Sequence, residues 1–164
     1  METASVRGVL SALASRLCGI EKETVHTITG KEGHGLNLWE TATAEATLPA
    51  QDLERAKTFY AERLNLVATS EDRQGVHFVV GGTRFRLFRS GGSASGSHTQ
   101  LALMVRDIGA QVQALRERGL TFEEYDYPNL KTVGGIADLG YARAAWFKDS
   151  EGNLLGIAEL APQS

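Results

Sequence analysis

The chain has 164 residues, 42% of them hydrophobic, with a formal net charge of −3 and a pI near 5.8. That supplies apolar material for one sizeable core or two small modules sharing one, and gives no general reason to expect nucleic-acid or anionic-membrane binding. Cys18 is the single cysteine, which rules out an intrachain disulfide. No stretch approaches the roughly 20 apolar residues of a membrane span, and SVRGVLSALASRLCG lacks a basic leader and a long apolar centre. A cytoplasmic protein with neither nucleic-acid nor membrane partners is expected.

Residues 1–42 read as an N-terminal extension. Val6, Val9, Leu10, Leu13, Leu17 and Ile20 recur at helical spacing, and a Gly- and Thr-punctuated loop follows. From residue 43 the pattern becomes regular. EATLPA alternates like a strand, and Asp52 is placed to cap a helix, DLERAKTFYAERL, with Leu53, Ala56, Phe59, Tyr60 and Leu64 as its buried stripe. Strand candidates LVATSE, VHFVV and RFRLF follow. Gly81-Gly82 between the last two predicts a two-residue hairpin that pairs Val80 with Thr83, Phe78 with Phe85 and His77 with Arg86.

SGGSASGS (90–97) reads as a flexible connection. The pattern then restarts: strand TQLALMV, cap Asp107, helix DIGAQVQALRERG, and strand candidates LTFEEY, RAAWFK and LLGIAEL. A shift of 55 residues lays Leu48 and Asp52 on Leu103 and Asp107, and Glu62-Arg63 on Glu117-Arg118. This is an in-phase internal repeat. The segment 124–142 reads as a long loop carrying Tyr125, Tyr127 and Tyr141, with Gly134-Gly135 as a hinge by which it closes over a site.

Two such units, opened by LPAQDLERAKTFYAERLNL and closed by WFKDSEGNLLGIAEL, resemble the glyoxalase/bleomycin-resistance/dioxygenase (vicinal oxygen chelate) superfamily over about residues 44–160. The resemblance implies an α+β fold: two βαβββ modules (about 44–90 and 98–160) forming curved mixed sheets around a cleft, helices on the outer faces, usually in a homodimer. It also implies four metal-ligand positions, which fall on Glu45, Arg86, Gln100 and Gly156. Arg repels a cation and Gly has no side chain, so no metal cofactor is expected.

Strand alternation then divides the residues. Glu45, Thr47, His77, Arg84, Arg86, Phe88, His98, Gln100, Met104 and Trp146 are expected to line the cleft as ligand-binding residues. Leu101, Leu103, Val105, Phe147, Leu155 and Ile157 are expected in the core. Arg86 serves equally well as a fork for a ligand's carboxylate, phosphate or phenolate and as a structural partner of Glu45. Trp146 and Phe88 suit either a flat ligand or an interface. The leading reading is a protein that binds a small organic molecule, anionic or aromatic. The alternative is a lyase, isomerase or oxygenase, either with a divalent metal on a displaced set such as Glu45, His77 and His98, or metal-free with His77 or Glu45 as catalytic acid or base.

Overall fold

The computed structural model describes residues 42–162; the extension, with its helix expected over Val6 to Ile20, lies outside the described residues. The first module comprises β1 (Ala46–Ala50), α1 (Leu53–Leu64), β2 (Ser70–Asp72), β3 (Gly75–Val80) and β4 (Thr83–Arg89). The second comprises β5 (Leu101–Met104), α2 (Ile108–Glu117), β6 (Asp126–Tyr127), β7 (Leu130–Val133), β8 (Ile136–Asp138), β9 (Ala142–Lys148) and β10 (Leu154–Leu160). Strand order is β1-β4-β3-β2 in one sheet and β5-β10-β9-β8-β7-β6 in the other. β1 runs parallel to β4 as β5 does to β10, and every other pairing is antiparallel. These are two mixed sheets of the expected α+β class, each with one helix from the same place in its unit.

The repeat is physical. Asp52 caps α1 by accepting from the Arg55 N–H at 3.0 Å, and Asp107 caps α2 by accepting from the Ala110 N–H at 2.9 Å. At the far ends of the helices, Arg63 donates to the Arg118 carbonyl and Arg118 donates to the Glu62 carbonyl. The two arginines, 55 residues apart, thus make matching contacts on each other's module.

Gly81 and Gly82 adopt φ of 56° and 82°, the left-handed values a tight hairpin needs, and β3 and β4 pair in the register expected of them. LVATSE is a strand only at its end. Asn65 turns left-handed (φ 55°) to cap α1, and the Leu66 N–H bonds back to the Tyr60 carbonyl, so the chain cannot extend before Ser70. LTFEEY forms a single bridge, Phe122 with Phe147, because Leu120 is held by the end of α2 and Phe122 goes into the core. The segment expected to be a loop is instead the ladder β6-β7-β8. Gly134 and Gly135 (φ 57° and 72°) form the tight turn between β7 and β8, which replaces the hinge.

One cluster of buried side chains takes in Leu48, Tyr60, Phe78, Phe85 and Leu87 from the first module and Ile108, Val112, Phe147, Leu155 and Ile157 from the second. Phe78 and Phe85 stack at 5.1 Å with Tyr60 beside them. Burial, then Asp149, pushes the Tyr60 phenol well above its usual range; it donates to Asp149 at 3.0 Å. The turn that follows β9 locks the modules together. Glu151, its side chain 1% exposed, accepts from the Gln51 and Asp52 N–H groups and from Arg55 at 2.8 Å, while Asn153 donates to the Pro49 carbonyl. The other face of each sheet lies outside this shared core.

Candidate functional site

On the open face of the first sheet, pleating and register put Glu45, Thr47, His77, Arg84 and Arg86 together. Thr47 and His77 are the two strand neighbours of Arg86. His77 is only 4% exposed and stands between two carboxylates, with Nδ1 3.2 Å from Glu45 Oε1 and Nε2 3.2 Å from Asp72 Oδ2. A neutral imidazole donates through one nitrogen, so both contacts are hydrogen bonds only in the imidazolium form. The other Asp72 oxygen accepts from the N–H groups of Gln74 and Gly75. The Gln74 bond, with further help from His77, holds the Asp72 carboxyl below its ordinary value.

Glu45 also faces both arginines, Arg86 Nε at 3.5 Å and Arg84 Nε at 4.0 Å. Arg86 Nη1 donates to Gln74 Oε1 at 2.7 Å, but its buried Nε–H has no hydrogen-bond acceptor among the described residues. Phe88 lies farther along the same face, opposite Pro49. Asp72 and Gln74 went unnoticed in the sequence. The signal was available in EDRQG, a turn whose Asp and Gln flank the residues two strands must place side by side.

The open face of the second sheet has different chemistry. Trp146 is the cross-strand partner of Gly156, and its indole N–H donates to Thr99 Oγ1 at 3.0 Å. A Cβ at position 156 would lie 3.3 Å from Thr99 Cγ2 and 3.5 Å from two indole atoms. The indole and the threonine therefore cover the bare backbone there. Tyr125 meets Trp146 edge-on at 5.6 Å, and Tyr127 stacks on Tyr125 at 6.0 Å. Only the segment that read as a loop brings these tyrosines in.

Other expected residues stand apart. Gln100 uses its amide oxygen on the Leu154 N–H at 3.3 Å. His98 is exposed just after the linker, where Nδ1 meets Ser95 at 3.2 Å. Met104, 58% exposed, borders a recess of about 190 Å³ between the modules, beside Leu64 and Leu115. Among the described residues no hydrogen bond, ion pair or ring contact joins the Glu45–His77–Arg86 group to the Trp146 group. The displaced set Glu45, His77 and His98 is therefore not assembled within one chain: His98 stays on the other module, held by Ser95.

The four positions that the resemblance implies for metal donors offer one carboxylate, one guanidinium, one committed amide and one backbone under an indole. That donor set does not fit a divalent cation, and no group of three His, Cys, Asp or Glu side chains able to hold a metal occurs among the described residues.

Comparison with known proteins agrees on the architecture. No curated protein matches the chain. Among solved structures it is similar to UcmS2 (19% identity, 70% of this chain and 94% of that one, TM-score 0.56). It is likewise similar to a glyoxalase/bleomycin resistance protein/dioxygenase from Nocardioides (20%, 73% and 83%, 0.55). A third is the fosfomycin resistance protein FosX from Listeria monocytogenes (13%, 74% and 94%, 0.55). At these identities the likeness shows the fold alone. A family model matches residues 42–157, the whole of both modules to within the last strand, and so the chain belongs to the Glyoxalase/Bleomycin resistance protein/Dioxygenase superfamily.

Proposed function

We propose that this chain binds a small anionic organic molecule on the Arg86 face without a divalent metal, as a cytoplasmic homodimer. The observation that carries the reading is the Arg86 Nε–H, buried and without an acceptor among the described residues while a carboxylate stands 3.5 Å away out of hydrogen-bonding geometry. A buried unsatisfied donor costs about 1–3 kcal/mol. An oxyanion that accepts from it removes that cost and gains a charge-assisted bond. Arg84, beside it on the pleat, adds a second cation.

The test is a thermal-shift and calorimetric series with carboxylates, phosphonates and antibiotics, run with and without chelator. Specific anions are expected to raise the melting temperature, chelator to change nothing, and Arg86→Ala to abolish the shift. Stoichiometric divalent metal in protein purified without added metal, with binding lost on chelation, would overturn the reading.

A second reading is a metal-free acid–base enzyme. It is favoured by Glu45, more open to solvent than His77 and oriented by His77 Nδ1 at 3.2 Å, as a carboxylate base requires. There His77→Ala removes turnover and leaves ligand binding nearly intact.

A further inference from the structure

We propose that Gln74 is the positioning residue of the anion site: it holds the Arg86 guanidinium off Glu45 and so keeps the chain from filling the site with its own carboxylate. This deepens the anion-binding reading above and rests on it.

The molecule supplies its own comparison. Arg55 meets Glu151 edge-on, Nε at 2.8 Å and Nη2 at 3.0 Å, the two parallel bonds that a planar fork offers a carboxylate. Arg86 and Glu45 are also neighbours, yet Nε stands 3.5 Å from Oε2 and makes no hydrogen bond with it. A third group draws each partner aside. His77 Nδ1 stands 3.2 Å from Glu45 Oε1, and Gln74 Oε1 takes Arg86 Nη1 at 2.7 Å. Nη1 lies across the guanidinium from the Nε–Nη2 edge, so the pull of Gln74 is away from the edge that would grip Glu45. Gln74 can hold this position because its backbone is fixed. It sits in the two-residue turn between β2 and β3, where Asp72 Oδ1 accepts from its N–H at 2.7 Å. The next residue, Gly75, lies so close to β4 that a Cβ there would come within 1.9 Å of the Leu87 carbonyl oxygen. The turn is thus seated on the strand that carries Arg86. A covered N–H left open beside a carboxylate is unfavourable for folding alone. It is the arrangement expected where an outside oxyanion is to replace Glu45, whose side chain is 28% exposed. Without Gln74 the guanidinium swings onto Glu45, and the site closes as the Arg55–Glu151 pair is closed.

The experiment is calorimetry and thermal melting of the full chain with benzoate and methylphosphonate, on wild type, Gln74→Ala, Glu45→Gln and the double variant. Gln74 is an exposed turn residue, so alanine there leaves the core intact. Gln74→Ala is expected to weaken anion binding about fivefold, because the ligand must now break a partly exposed ion pair. The same variant, free of ligand, should melt about 2 °C higher, since the open N–H is satisfied. Neither effect should survive in the Glu45→Gln background. An unchanged affinity, or a loss equally large in both backgrounds, overturns the proposal and leaves the anion reading standing. If neither anion binds the wild type, the anion reading falls and the melting temperatures decide. A rise that Glu45→Gln removes then upholds the competition for Arg86, and no rise overturns it.

Discussion

The two open faces occupy corresponding places in a repeated unit, yet one is ionic and the other aromatic. On the first, Glu45, Asp72, His77, Arg84 and Arg86 share a few ångströms; on the second, Trp146 stands over Gly156 with Tyr125 against it and Tyr127 against Tyr125. The core-facing residues of the same strands are apolar in both modules. Strand pleating permits this division: alternate side chains keep the shared core constant while the others change freely. Both faces also bear on one question, because the positions that differ include those that the resemblance implies for metal donors.

Two glycines, one in each module, respond very differently, and the largest effect expected from breaking this comparison is at the first. A Cβ at Gly75 would lie 1.9 Å from the Leu87 carbonyl oxygen, on a residue with φ 139°. Gly75→Ala should destabilise by about 3 kcal/mol or more in urea unfolding, since backbone strain and overlap combine. Gly156→Ala meets only side chains at 3.3–3.5 Å. It should cost about 1 kcal/mol or less, with the change showing in Trp fluorescence.

Next comes the lock common to both modules. Glu151→Gln removes the charge that receives Arg55 and should cost about 2–4 kcal/mol at neutral pH. Burial pushes the Glu151 carboxyl up, but the Arg55 bond and the Asp52 and Gln51 N–H groups outweigh it, so its folded value lies below the ordinary 4.5. The stabilisation is therefore complete above that ordinary value and disappears as pH falls through the folded one. Unfolding free energies of wild type and Glu151→Gln, measured from pH 7 to pH 3, should converge at the acid end.

On the ionic face, Arg86→Ala should lower anion affinity at least tenfold in calorimetry, as loss of a charge-assisted bond predicts. The smallest effect is at Asp72. Asp72→Asn should leave stability at neutral pH nearly unchanged and remove a small contribution. In the wild type that contribution is present above the ordinary carboxylate value of 3.8 and lost as pH falls through the depressed folded value.

Much of this arrangement was legible in the chain. Gly81-Gly82 fixed a hairpin and hence the neighbours of Arg86, and two aspartates marked both helix starts. Alternation assigned Leu101, Leu103, Phe147 and Ile157 to the core side. The strands in 126–138 were hidden because strands of two to four residues carry too little periodicity to separate from a loop. With them went the tyrosine ledge, since Tyr125 reaches Trp146 only through the β6-β7 hairpin. Asp72 was missed for a related reason: a turn residue gains its second role only when the following strand folds back upon it. Gly156 read as a lost donor, and only the position of the indole explains what occupies that space.

The crosswise pair Arg63 and Arg118 has a consequence for how the molecule is put together. Each half presents to the other the contact it receives, so the seam is that of two subunits that happen to share a covalent tether. The tether, residues 90–97, contributes no strand or helix to either half. Cutting it should leave two fragments that recombine on mixing, and the same polypeptide expressed in the opposite order of halves should retain its architecture.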